Sequence, residues 1–360
     1  MLRKLLHNSK YLFLLLGLAL PFSLALADEK TMETAAADKW GMSVKGDEVG
    51  NAKALGGDTW ARCAVSLASP KARSYELSHQ RSNTMPMSPF GAPLKYDFRG
   101  TVGLPGTKHA FNGETVAGEH AAQSTQMDAL GHFGYLENPW SGEGDFPSAD
   151  VQYFGGFTQD EVKPDAASGL LKLGVEKVPP IITSAILLDA KRLMGKTLEP
   201  GQLVTRQNID DMLQAQGLAA RGLLPGDVLY IHTGWGENWT DPKSENGYYQ
   251  MGPGLAYDAV KYIGSKGVVL VSLDNPFTDP VLQGQLIGQA GPPEGTPDGL
   301  PFAIHHHNLT QSGVLQIQNS RLHELARDKV WQSCTMILPL RITGGSGSPV
   351  RPVAIGVPSQ

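Results

Sequence analysis

The chain has 360 residues, 30 Lys and Arg against 35 Asp and Glu, 41% hydrophobic side chains and two cysteines. A mildly acidic balance without basic clusters argues against nucleic acid or an anionic membrane surface as partner. The apolar share suffices for a substantial core, and two cysteines are too few for a disulfide scaffold.

Arg3, Lys4 and Lys10 flank or precede an apolar run from Tyr11 to Leu20, and Ala25-Leu26-Ala27 closes it as a small-residue cleavage site. That order predicts a secretory signal peptide over 1–27, cleaved after Ala27, and a secreted or periplasmic mature protein without membrane attachment. Removing it takes away three positive charges and moves the formal net charge from −5 to −8. In an oxidising compartment Cys63 and Cys334 could pair, or they could stay two separate buried thiols; the sequence leaves both readings open.

Residues 28–88 are polar and weakly periodic and read as an N-terminal extension that wraps the main domain, with AAADKWG and SLASPKARS as helix-like fragments. From 89 to 360 no linker intervenes, which predicts one domain. GTVGLPGTKHAFNGETVAGEH is dense in Gly and Pro, as short strands joined by tight turns require. VPPIITSAILLDAKRL predicts an apolar strand that runs into a short helix near Asp189. TRQNIDDMLQAQG predicts a helix capped by Thr205, with Ile209, Met212 and Leu213 at helical spacing and a stop at Gly217.

PGDVLYIHTGW follows as a buried strand whose end carries His232, Thr233 and Trp235. PGLAYDAVKYIGSKG is an amphipathic helix with Leu255, Ala259 and Ile263 on one face, and VVLVSLDNP is a second buried strand. Strand, helix, strand predicts a parallel pair that delivers polar groups at its carboxyl ends. HHHNLTQSGVLQIQNSRLHELA then reads as helix or turn, strand and short helix, and VWQSCTMILPLRITGG as a final strand before a Gly/Pro-rich tail.

The candidate chemistry starts in QSTQMDALGH, residues 123–132. Asp128 offers a carboxylate and His132 an imidazole four residues on, close enough to face one pocket in a turn or helix. Taken alone, such a pair reads more readily as a structural hydrogen bond than as a site. Its surroundings alter that balance, because STQMDALGHFG resembles His-x-Gly-Thr-His-x-Asp-x-Pro-x-His. That is the signature of the putative cyclase family, which includes bacterial-type kynurenine formamidase and isatin hydrolase. Ser124 and Thr125 take the Gly-Thr places, Gln126 that of the second His, and Asp128 and His132 match directly. Ala122 and Leu130 depart from the first His and the Pro. PPIITSAILLDA, LLPGDVLYIHTGWGENW, GPGLAYDAVKYIGSKGVVLVSLDN and HHHNLTQSGVLQIQN follow in the family's order.

The resemblance implies an α/β fold, a three-layer swivelling β/β/α-type domain with a mixed, barrel-like sheet, in a homodimer or higher homo-oligomer. Family members use a late His and a Glu twelve residues further on as metal ligands, a spacing that selects His306 and Gln318. The implied metal set is therefore Gln126, Asp128, His306 and Gln318. Amide oxygens bring no negative charge and suit harder ions, so the set predicts one divalent ion, Mn²⁺ or Zn²⁺, and disfavours a two-zinc centre.

His132 would act as general base and then as acid to the leaving group. His232, Trp235 and Phe133 are candidate substrate contacts, with a core hydrogen bond an equal alternative for His232 and core packing an alternative for the two aromatic residues. His305 and His307 flank His306, and one of them could hold a ligand through its other ring nitrogen. The expected function is a metal-dependent hydrolase of a cyclic amide, an N-acyl amide or a lactone, with a small-molecule substrate. The competing expectation is a small-molecule binding protein of the same fold, because Ala122, Gln126 and Gln318 stand at three family ligand positions.

Overall fold

The computed structural model describes residues 40–245 and 247–359, so the predicted signal peptide and residues 28–39 lie outside the described residues. Thirteen strands form in chain order: β1 (Arg73–Glu76), β2 (Lys95–Gly103), β3 (Ala110–Ala117), β4 (Gln126–Asp128), β5 (Ile181–Asp189), β6 (Leu203–Val204), β7 (Val228–His232), β8 (Gly254–Leu255), β9 (Leu270–Leu273), β10 (Leu315–Gln318), β11 (Gln332–Ile337), β12 (Gly347–Pro349) and β13 (Val353–Gly356). Nine of them make one mixed sheet in the order β1-β13-β11-β5-β7-β9-β10-β4-β12. Its centre, β5 to β10, is parallel, and both flanks are antiparallel. The expected mixed α/β sheet is present, curled into a half-barrel.

Strand alternation divides the core into two. Ile186, Leu229, Ile231, Val271 and Leu273 point to one face, where the helices Arg206–Ala215 and Tyr257–Ser265 cover them with Ile209, Met212, Leu213, Val260 and Ile263. Leu187, Tyr230, Leu270, Leu315 and Ile317 point to the other, against Leu325 and Ala326 of the short helix His323–Arg327. The crossover from β7 through Tyr257–Ser265 to β9 is the parallel unit expected from the sequence. Thr205 caps Arg206–Ala215 by accepting the Asn208 amide at 3.2 Å, and Gly217 ends that region with a positive φ of 70°.

Two readings of local structure change. SLASPKARS is not itself a helix; the helix lies upstream, at Gly57–Leu67, and the chain enters β1 at Arg73. The strand in VWQSCTMILPLRITGG, β11, is not the final one, because β12 and β13 form in the Gly/Pro-rich tail and join the sheet on opposite sides of it. Residues before 89 supply β1 and the Gly57–Leu67 helix. A disulfide between Cys63 of that helix and Cys334 of β11 ties the helix to the sheet.

β2 and β3 form a separate ribbon, each the other's neighbour. It exposes Phe98 (75%), Val102 (59%) and Val116 (52%). A two-stranded ribbon is at best marginally stable by itself.

Candidate active site

β4 and β10 run antiparallel, with Asp128 opposite Gln316 and Gln126 opposite Gln318. Side chains two residues apart share a face of a strand, so these four gather on the face that also carries Val271. Next to them lies the helical turn Ala303–His306, which continues as a π-helical turn over His307–Ser312. That geometry turns His305 inward. Asp279 holds it there, accepting the Ile304 amide at 2.6 Å and pairing closely with His305 Nδ1.

The resulting cluster is buried and polar. Gln318 Nε2 donates to Asp128 Oδ2 at 2.7 Å and lies 2.8 Å from His305 Nε2, while Gln126 Nε2 donates to Gln318 Oε1 at 2.6 Å. Gln316 Nε2 adds a bond to Asp128 Oδ2 at 3.2 Å, and its own carbonyl accepts from Thr278 Oγ1 and Asn308 Nδ2. Asp128 is 2% exposed. Burial alone would raise its pKa, but His132, His305 and Gln316 outweigh that and hold its carboxyl below the usual carboxylate range. Burial likewise opposes charge on His305, yet the carboxylates of Asp279 and Asp128 push its pKa up to about 9.

His305 and Gln318 thereby define two states of the centre. A neutral His305, with its proton on Nδ1 toward Asp279, accepts from the Gln318 amide at Nε2. A charged His305 carries a proton on Nε2 and needs that amide turned over, oxygen toward the ring. His132 stands at the open side of the cluster. It is exposed, its ring centroid lies 6.5 Å from that of His305 and 6.2 Å from that of Phe133, and its charge acts on Asp128.

The family described as putative cyclase matches residues 75–280, more than half of the chain. The chain belongs to the cyclase family. Among solved structures it is similar to a novel cyclase, with 23% identity, a TM-score of 0.70, and 86% of this chain and 94% of that one covered. It is also similar to isatin hydrolase A from Ralstonia solanacearum (19% identity, TM-score 0.51, 81% and 95% covered). A third is an isatin hydrolase bound to the product analogue thioisatinate (18%, 0.52, 83% and 98%). These likenesses are of fold. No curated protein matches the sequence significantly.

A divalent ion is implied by the cyclase resemblance, and the donors of this cyclase chain fit one. Gln126 Oε1 is buried without a hydrogen-bond partner. Turning the Gln318 amide over would set its oxygen beside Asp128 Oδ2 and His305 Nε2, where its nitrogen now sits, and would require the Gln126 amide nitrogen, now bonded to Gln318 Oε1, to swing aside. Oxygen, oxygen, oxygen and imidazole nitrogen is a hard-leaning set of low charge. Among the described residues no three His, Cys, Asp or Glu side chains group as a metal cluster, because two of the four donors here are amides.

Of the residues expected from the sequence, Gln126, Asp128 and Gln318 converge, and His132 and Phe133 border them. His306 does not join them. The π-helical turn accommodates one extra residue, so the imidazole that reaches Gln318 is thirteen residues before it, not twelve, and belongs to His305. His306 instead packs edge-on against Tyr135, ring centroids 5.3 Å apart.

His232 leaves the sheet on the opposite face. Its Nδ1 is 2.9 Å from Asp189 Oδ1, beside His323 and Ala326. Trp235 is buried against Tyr248 and Tyr249, away from Asp128. Asp279 and Gln316 were not anticipated. The period-two pattern on β10 pointed to Gln316, whereas nothing local marks Asp279.

Proposed function

We propose that this cyclase-family chain is an exported hydrolase of a cyclic amide, an N-acyl amide or a lactone. One Mn²⁺ or Zn²⁺ would be held by Gln126, Asp128, His305 and Gln318. The observation that carries the reading is an exposed imidazole, His132, at the open side of a buried set of convergent donors. A bound ion would supply Lewis-acid polarisation of the acyl oxygen and acidify water. His132 would take a proton from attacking water and return it to the departing nitrogen or oxygen. Asp279 fixes the His305 ring so that Nε2 faces the centre, and Gln316 keeps Asp128 oriented. Isatin hydrolase structures share the fold, and their named substrate is a cyclic amide, which supports the substrate class. The Cys63–Cys334 disulfide supports export, since such bonds persist in oxidising compartments. The exposed Phe98, Val102, Phe111 and Val116 of the β2–β3 ribbon support a homo-oligomer that covers them.

The test is His132→Ala, assayed with isatin, formanilide and γ-butyrolactone beside elemental analysis. Turnover should fall by about 10²–10⁴-fold, the usual contribution of a positioned acid–base group, with metal content retained. Undiminished turnover would remove His132 from the mechanism. The second reading, a binding protein, draws on one observation: two of the four donors, Gln126 and Gln318, are uncharged amides that hydrogen-bond to one another and to Asp128. Ligand-induced thermal stabilisation with no turnover of any amide or lactone, metal supplied, would favour it.

A further inference from the structure

Beside the candidate site runs a cleft of about 1330 Å³, lined along its length by Phe133, Tyr135, Trp140, Phe146, Phe302 and His306. It meets the catalytic cluster at two rings. Phe133 lies 5.5 Å and Phe302 6.0 Å, centroid to centroid, from His305. At the outer end Trp140 and Phe146 stack edge-on at 5.5 Å, yet stay 45% and 50% exposed. Small-molecule sites usually span about 300–1,000 Å³ and bury most of their ligand. A compact one- or two-ring amide would therefore fill a minor part of this space and leave the outer aromatic pair in water.

We propose that the scissile amide or lactone is carried on an extended aryl or alkyl body, which lies along the cleft from Phe133 to Trp140; this rests on the hydrolase reading above. His306, turned away from the donor cluster, then has a place. Its half-buried ring forms part of the cleft wall beside Tyr135 and can hydrogen-bond a polar atom part-way along the body. Phe133 and Phe302, which touch both regions, act as the collar through which the reactive end reaches Asp128 and His132. The body's chemistry follows from the lining, whose rings and aliphatic groups are joined by scattered amides and hydroxyls and whose only charges are the carboxylates of Glu137 and Asp298, so an uncharged chain or a second ring fits and a phosphate does not.

The experiment compares substrates with one scissile group and different bodies: formanilide, 4-hexylformanilide and 4-phenoxyformanilide, then γ-butyrolactone and γ-dodecalactone. Full burial is worth about fourfold per methylene, so kcat/KM should rise at least tenfold from each parent to its extended partner. In Trp140→Ala, whose site is a half-exposed loop residue, that extended-to-parent ratio should fall about tenfold. Parents cleaved as well as extended substrates, or a ratio untouched by Trp140→Ala, would overturn the proposal. If nothing in the series turns over, the hydrolase reading fails. Quenching of tryptophan fluorescence by 4-hexylformanilide then decides the cleft separately. Saturable quenching in the native protein that is lost in Trp140→Ala upholds the extended ligand, and no saturable quenching overturns it.

Discussion

Replacing Gln318 by Glu puts the charge logic of the site to the test. Gln318 Nε2 lies 2.7 Å from Asp128 Oδ2 in a buried cluster. The substitution turns a donor into a second carboxylate. Two such charges about 4 Å apart repel by about 4 kcal/mol at an effective dielectric of about 20. That corresponds to roughly three pKa units on the pair. The His305 imidazolium beside it, 2.8 Å from Gln318 Nε2, offsets part of that repulsion, while burial adds to it, so the folded-state pKa of the new carboxyl is raised above its unfolded value near 4.3. A raised acid holds its proton in the folded state, so stability is lost as pH climbs from the unfolded toward the folded pKa. In chelator, Q318E should unfold at a temperature close to that of the native protein at pH 4.5 and well below it at pH 8. A divalent ion changes the sign, because the added charge now has a cation to neutralise. Mn²⁺ should stabilise Q318E more than the native chain at pH 8. Thermal unfolding at both pH values, with EDTA and with Mn²⁺, measures all four quantities. An equal response of the two proteins to Mn²⁺ would refute the placement of an ion between these side chains.

Three further expectations follow from features away from the cluster. Burial opposes charge on His232, but its bond to Asp189 and the nearby Asp274 charge outweigh this and raise its pKa. The resulting stabilisation is complete below about pH 6.5 and is lost as pH rises through the folded value. Asp189→Asn should therefore lower the urea midpoint more at pH 6 than at pH 9, and an equal loss at both would contradict that sign. The Cys63–Cys334 bond closes a separation of 271 residues, for which the chain-entropy relation gives at most about 5–6 kcal/mol. Cys63→Ser/Cys334→Ser should match the native protein in dithiothreitol, and indifference of the native melting temperature to reductant would count against the bond. Gly313 has φ 66°, and a Cβ there would sit 2.7 Å from Gly50 Cα and from the Phe154 ring. Gly313→Ala should cost about 1–3 kcal/mol in urea unfolding and weaken Mn²⁺ binding by shifting the turn that places His305; an unaltered Mn²⁺ isotherm would uncouple the two.

Much of the fold was legible because its signals are local. Thr205, Ile209, Met212, Leu213 and Gly217 mark a helix by cap, period and stop, and each acts within one helical turn. Gln126, Asp128 and Gln318 came from matching motif positions, and the antiparallel register of β4 on β10 brings them together. His305 escaped for a geometric reason. The spacing of twelve was carried over from the family, and in this chain a π turn lies between the two positions, so the imidazole that reaches Gln318 is one residue earlier and its neighbour faces outward. His232, named as a substrate contact, falls on the far face through parity. Whether a strand-end side chain points to one face or the other depends on register against β5 and β9, which pairs it with Asp189 and not with the Gln316 row. Asp279 is a loop residue whose partner is 26 positions away, a contact that only the folded chain creates.

The bond between Cys63 and Cys334, and the pairing of β1 with β13, give the molecule a temporal order as well as a shape. Both join an early part of the polypeptide to one of its last. At about 5–20 residues per second, a ribosome needs some tens of seconds between the two cysteines. Over that interval the first thiol has no native partner, and the edge next to β1 has no strand to close it. Until those partners emerge the nascent protein is thus an open ledge, with one unpaired sulfur and one unpaired border. Whatever guards the chain in transit has those two places to shield until Cys334 and the strand Val353–Gly356 have been made.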